Sequence, residues 1–352
     1  MRKVVLVSYT PIGASGGVPR WNRDFRSAFP EAVHYSWQDV LPHVGGQDRW
    51  DVPEWTKAEI LNKWLIWSKR IDRDDIVFVD GFWGRGLEDL PNVVSVCHGN
   101  WSHTTKDDVD AGVEPEFPDH HRAQLTYRKN HVMNGGRLVA VSEFISHQCD
   151  IQWGFKMPVI NNGIDTRVFV PTDDKKPRNR PVILHGTTTA NKGLDHIALL
   201  KKGFDADVLL LDEAADFFRM PKYRALAQAD LFVHPSAHEG NSYMVLETLA
   251  CGVPLVSYDV GLMYEARQNA DPDFGYPGAI MERRIRSPQE TLTAVKVFFS
   301  RMAQSHVDYV PRKFAEMYSL DRFRREWKSY MRSQFEYVSP WEGNEEHFHG
   351  RT

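Results

Sequence analysis

Cysteine is scarce. Only Cys97, Cys149 and Cys251 occur in a chain of 352 residues, and an odd number so widely spaced argues against a disulfide framework and for a reducing compartment, the cytoplasm. Long apolar runs are also lacking. No stretch approaches the ~20 residues that a membrane-spanning helix needs, and the amino-terminal MRKVVLVSYTPIGASGG breaks into proline and glycine too early for a signal peptide. There is no excess of positive charge: 43 Lys and Arg against 47 Asp and Glu give a net charge of -4. A global field that would recruit nucleic acid or an anionic membrane is therefore excluded, and a polyanionic partner would need a local patch. Neither a solenoid repeat nor a low-complexity segment is present.

What remains is a soluble α/β pattern. At 42% apolar content the chain can bury a large core, and its length favours two domains. Short apolar runs, VVLV (4–7), DIVFVD (75–80), VVSVCH (93–98) and RLVAVS (137–142), alternate with stretches long enough for helices, as buried parallel strands do. The pattern restarts with PVILHG, ADVLLLD, ADLFVHP and VPLVSYD after the charged, proline-flanked PTDDKKPRNRP (171–181), which reads as a linker. The expected domains are 1–170, 171–318 and a carboxyl-terminal helix with a polar tail, 319–352, the helix packing back on the first domain. Two Rossmann-like, doubly wound sheets facing across a cleft would bind ligands beyond the carboxyl ends of their strands.

One such strand end carries two carboxylates. ADLFVHP ends at Pro235, Glu239 and Gly240 follow in a turn, and Asn241 or Ser242 can cap a helix that runs to about Cys251 and stops at Gly252. The free amides at that helix start favour a phosphate or diphosphate. Glu247 lies roughly 7 to 8 Å further along the helix, at ~1.5 Å per residue. A ligand with a diphosphate between a sugar and a ribose would use both carboxylates as hydroxyl acceptors; a solvated loop residue and a surface helix residue are the plainer alternative.

The segment SAHEGNSYMVLETLACGVPLV (236–256) resembles the E-x(7)-E region of the retaining glycosyltransferases of family 4. VAVSEFISHQC with MPVINNGIDTRVFVP (139–171) and HGTTTANKG (185–193) resemble two further segments of that family, in the family's order. The resemblance implies the GT-B fold and transfer of a hexosyl group from a nucleoside diphosphate sugar, a UDP-sugar such as UDP-glucose. The hydroxyl acceptor would be a glycan, a glycolipid or a small molecule.

By the same resemblance Glu247 would hold the donor ribose and Glu239 the donor sugar. Gly240, Asn241 and Ser242 would lend backbone amides, and Lys192 would neutralise the diphosphate. Gly16 and Gly17 in GASGGVPRW (13–21) match the glycine-rich loop that closes on donor and acceptor; His98, at the end of VVSVCH, matches a histidine that touches the donor sugar or the accepting hydroxyl. The family commonly has an arginine directly after the glycine of the HGTTTANKG loop, where this sequence has Thr187. Diphosphate binding then leans on Lys192, the helix end and the hydroxyls of residues 187–189, or on an arginine from elsewhere.

No essential metal is expected. Asp108 and Asp110 have no strand before them to build a D-x-D site, and the adjacent His120 and His121 lack the spacing of a zinc pair on one helix face. Tryptophan is concentrated in the first half, at 21, 37, 50, 55, 64, 67, 83, 101 and 153, where exposed indoles could stack on a sugar or an unstacked base. EWTKAEILNKWLIWSKR (54–70) could lie on a membrane carrying a lipid-linked acceptor, or pack its apolar face on a sheet. A hydroxylated base in DNA is a less favoured acceptor, since the first half has no basic excess. An epimerase, a hydrolase or a non-catalytic nucleotide-sugar binder on the same fold are the alternatives.

Overall fold

The computed structural model describes residues 2–45, 52–99, 118–154, 156–175, 177–186, 192–268, 277–281, 286–304 and 309–340. It divides into two units: one of 1–141, 145–160 and 323–352, the other of 142–144 and 161–322.

In the first unit five strands form one parallel sheet: β1 (Val4–Ser8), β2 (Val33–Ser36), β3 (Ile76–Asp80), β4 (Val93–Cys97) and β5 (Arg137–Ala140), in the order β2-β1-β3-β4-β5. Val5 stands between Val33 and Val77 in register, and Val77 continues to Val93. The central strands are buried on both faces, which is why their residues are apolar without alternation. One face is covered by helix Gly17–Ala28, whose Trp21 and Phe25 meet Trp327 from the carboxyl-terminal helix Leu320–Phe335, with ring centroids 5.4 and 5.3 Å apart. The other face takes helix Glu54–Trp67 through Ala58, Leu61 and Leu65. The apolar face of that segment is thus spent on the sheet, leaving Ile66 and Trp67 exposed at its end. Trp21, Trp37 and Trp83 are core residues.

The second unit repeats the design with β6 (Val182–His185), β7 (Asp207–Leu210), β8 (Leu231–His234), β9 (Leu255–Tyr258) and β10 (Gly278–Met281), parallel in the order β10-β9-β8-β6-β7. Leu184, Phe232 and Leu255 pack against Leu246 and Leu249 of helix Tyr243–Ala250.

Two features differ from the sequence reading. Residues 161–170 group with the second unit, because Ile164 exchanges backbone hydrogen bonds with the 318–320 segment and the Arg312 guanidinium donates to the carbonyls of Thr166, Phe169 and Ala250. The charged run 171–181 is not a free linker either. Lys175 donates to the Ala229 carbonyl at 2.6 Å, and Arg178 to the Asp230 carboxylate at 2.8 Å, so its charges are tied along the second unit.

Candidate active site

The strand order of the second unit reverses between β6 and β8, so the loops leaving their carboxyl ends diverge and open a crevice there. β6 ends at His185 and passes into Gly186. β8 ends at His234, and residues 235–242 lead into helix Tyr243–Ala250.

That loop is seated on glycines. A Cβ on Gly186 would fall 2.1 Å from Met244 Sδ, one on Gly193 would fall 2.7 Å from the Pro235 carbonyl, and one on Gly261 would fall 2.7 Å from the Gly240 carbonyl. Gly193 and Gly261 also have φ of +86° and +54°, so they are glycine positions on both counts. Buried Asn162 adds a polar brace, donating from Nδ2 to the Asn241 carbonyl at 2.8 Å.

On this seat Lys192 Nζ meets Glu239 Oε2 at 2.6 Å and lies 3.4 Å from the His238 carbonyl. His234 Nε2, buried at the end of β8, is 3.5 Å from the same carboxylate oxygen. Burial opposes ionisation of Glu239, but the His234 imidazole and the Lys192 ammonium outweigh it and hold the carboxyl at a pKa of about 2. Glu239 is therefore an anion at any working pH. It can accept hydrogen bonds and cannot serve as a general acid.

The helix begins as its sequence implies: Ser242 is the N-cap, its hydroxyl accepting from Val245 N at 3.4 Å, and the chain turns away at Gly252 with φ of +75°. Asn241 is buried, and Glu247, half-buried, lies in the second turn. Glu239, Gly240, Asn241, Ser242 and Glu247 thus fall on the loop after β8 and the helix it starts, and Lys192, from the segment after β6, meets them there. Thr187 lies outside the described residues, as do Asp108 and Asp110.

Three of the expected site residues belong to the first unit. Gly16 caps helix Gly17–Ala28 with φ of +122°, a conformation for glycine, while a Cβ on Gly17 would meet no atom within 4 Å. His98 follows β4 and sets its ring edge-on to Trp21 at 5.2 Å; its Nε2 is buried without a hydrogen-bond partner, and burial lowers its pKa to about 3. It is a neutral imidazole, suited to hydrogen bonding and not to carrying charge.

The sequence reading missed His234, Asn162 and Glu265. Glu265, in helix Leu262–Gln268, accepts from Glu143 N at 2.7 Å, from Asn161 Nδ2 at 2.9 Å and from the Tyr318 hydroxyl at 3.2 Å, tying four segments together behind the loop. Burial nonetheless raises its pKa to about 7. The HP of ADLFVHP and the NN of MPVINNGID were visible signals for the first two. Glu265 had none, since its partners come from distant stretches. Among the described residues no group of three or more His, Cys, Asp or Glu is placed to hold a metal ion, and no helix is long and apolar enough to cross a membrane. The three cysteines are buried free thiols. A depression of about 670 Å³ beside β2, bordered by Arg26, Glu31, His34 and Asp39, contains none of these site residues.

Residues 174–280 match the family described as glycosyl transferases group 1. Sucrose-phosphate synthase from Thermosynechococcus elongatus superposes with a TM-score of 0.73 at 13% identity, over 95% of this chain and 100% of that one. Anabaena HepE in complex with UDP and glucose gives 0.65 at 13% identity, over 95% and 100%. A glycosyltransferase from Rickettsia africae gives 0.62 at 15% identity, over 95% and 99%. No curated protein matches the sequence. At such identities the superpositions speak to fold alone, which is GT-B; it is the family match over residues 174–280 that supports a group 1 glycosyltransferase, an enzyme.

Proposed function

We propose that the chain is a retaining hexosyltransferase of family 4 that takes a UDP-sugar, with UDP-glucose the first donor to try, and passes the sugar to a hydroxyl acceptor without an essential metal. The observation that carries this is the Lys192–Glu239 contact of 2.6 Å at the β6 and β8 ends, beside the start of helix Tyr243–Ala250. Supporting it, a structural neighbour is described in complex with UDP-glucose.

In this reading the donor diphosphate takes Lys192 and the helix amides, where negative charge grows as the bond from the anomeric carbon to the diphosphate breaks. Glu239, ionised throughout, accepts from sugar hydroxyls, and Glu247 from those of the ribose. A carboxylate of pKa about 2 is a weak nucleophile, which favours front-face attack over a covalent double displacement. The new bond to the acceptor oxygen forms on the face the diphosphate leaves, and the acceptor proton passes to a departing phosphate oxygen. Neutral His98 would hydrogen-bond the sugar or the accepting hydroxyl.

Proton NMR of the purified protein with UDP-, GDP- and ADP-sugars tests this. Slow release of one nucleoside diphosphate identifies the donor, and with an acceptor the product's anomeric coupling reports retention. Glu239→Gln or Lys192→Ala should remove most of the rate in a folded protein. Full transfer by both variants refutes the assignment.

A further inference from the structure

The diphosphate site proposed above has one lysine and, at Thr187, no arginine. The geometry points to Arg286, arriving from a different part of the chain, as the second cation that receives the diphosphate. This inference rests on the nucleotide-sugar reading and deepens it.

Arg286 precedes Ser287, the N-cap of helix Pro288–Ala303. Its root is fixed, because Ser287 N donates to the Tyr258 hydroxyl at 3.2 Å and that hydroxyl also lies 3.1 Å from Glu290 Oε2. Its Nε donates to the Pro235 carbonyl at 3.2 Å. This is the same carbonyl against which Gly193, next to Lys192, is packed too closely to carry a Cβ. Arg286 and the Lys192 turn therefore converge on one atom at the end of β8.

One arm of the guanidinium is not satisfied. Nη2 is buried and has no hydrogen-bond partner, and among the described residues no carboxylate is paired with Arg286. A buried donor left unmade is costly, and a charged one more so. The nearby His196 does not take up the role: it is buried, bonded through Nδ1 to Thr291 at 2.8 Å, and held neutral by burial and by the Arg286 charge. A planar fork with one nitrogen anchored on Pro235 and another buried without a partner beside the β8 end suits phosphate oxygens. This replaces, from the far side of β8, the cation missing from the loop after β6.

Titration calorimetry with UDP, UMP and uridine tests the assignment in full-length wild type, Arg286→Gln and Arg286→Lys, with thermal midpoints recorded. Arg286→Gln should weaken UDP by about 10- to 100-fold, the range of one or two hydrogen bonds to a charged group, while uridine binds as before. Arg286→Lys should recover part of the loss and so separates charge from fold. Unchanged UDP affinity in Arg286→Gln overturns the inference while leaving the nucleotide-sugar reading intact. Equal weakening of UDP and uridine also overturns it, making the arginine a support of the loop. A wild-type protein that binds none of UDP, GDP or ADP overturns the parent reading and this one with it.

Discussion

Replacing Lys192 by methionine keeps the length of the side chain and removes its charge, so it isolates the ion pair at the centre of the site. Glu239 is held at a pKa of about 2 against an ordinary 4.5. A depressed carboxylate contributes stability that is present above its unfolded pKa and lost as the pH falls through its folded one; here the window runs from about 4.5 down to about 2. The shift corresponds to about 3 kcal/mol at neutral pH, with roughly half gone by pH 3. Lys192 supplies part of that, the His234 imidazole another part, and the lysine side chain is 39% exposed, so solvent screening leaves about 1 kcal/mol for the pair. Urea titrations, chosen because guanidinium salts would screen the pair, should find Lys192→Met about 1 kcal/mol less stable than wild type at pH 6. The difference should shrink as the pH falls below about 4.5 and approach zero only near pH 2, where Glu239 protonates in the folded state. A difference that is constant with pH, or absent, would show that the pair does not hold Glu239 down and would remove the electrostatic basis of its proposed role.

Other outcomes follow from the same structure. Gly193→Ala and Gly261→Ala must adopt positive φ and meet a backbone carbonyl at 2.7 Å, so each should lose about 1–3 kcal/mol, read by urea unfolding; wild-type stability in either would contradict the seating of the loop. Glu265 has a folded pKa raised to about 7 from 4.5, so its contribution is full below about 4.5 and is lost as the pH rises through about 7, a fall of about 3 kcal/mol. Glu265→Gln should flatten that part of the stability profile. Trp327, fully buried against Trp21, Phe25 and Phe78, should cost about 3–5 kcal/mol when changed to alanine, measurable as a lowered urea midpoint.

The eight strands that stood out in the sequence include every strand buried on both sides by neighbours in its sheet, and this is the circumstance that produces uninterrupted apolar runs. The strands that did not stand out, β2 and β10, are edges. β2 reads VHYS, with Val33 exposed and His34 and Tyr35 half-buried, and β10 is the four-residue GAIM. The other two edges, β5 and β7, did show as apolar runs, so it is the polar and exposed residues of β2 and the shortness of β10 that hid them. The unit boundary near residue 160 was hidden for a related reason. What holds 161–170 to the second unit is backbone pairing at Ile164 and the carbonyl contacts of Arg312, and main-chain partners leave no trace in residue type.

The site divides along the same line. Ser242, Glu239, Glu247 and Gly252 could be placed because a strand end, a cap, a helix and a stop are local events within twenty residues. The Lys192–Glu239 contact spans 47 positions, the Asn162 brace 79, and the Arg286 contact with Pro235 51. The Lys192 and Arg286 contacts exist because parallel strands bring the segments after β6, β8 and β10 to one end of a sheet, whatever their separation in the chain. A charge absent from one of those loops can therefore be restored from another without disturbing the local motif. Thr187 read alone suggests a weakened site, whereas Arg286, proposed above as the second cation, reaches the end of β8 from beyond β10.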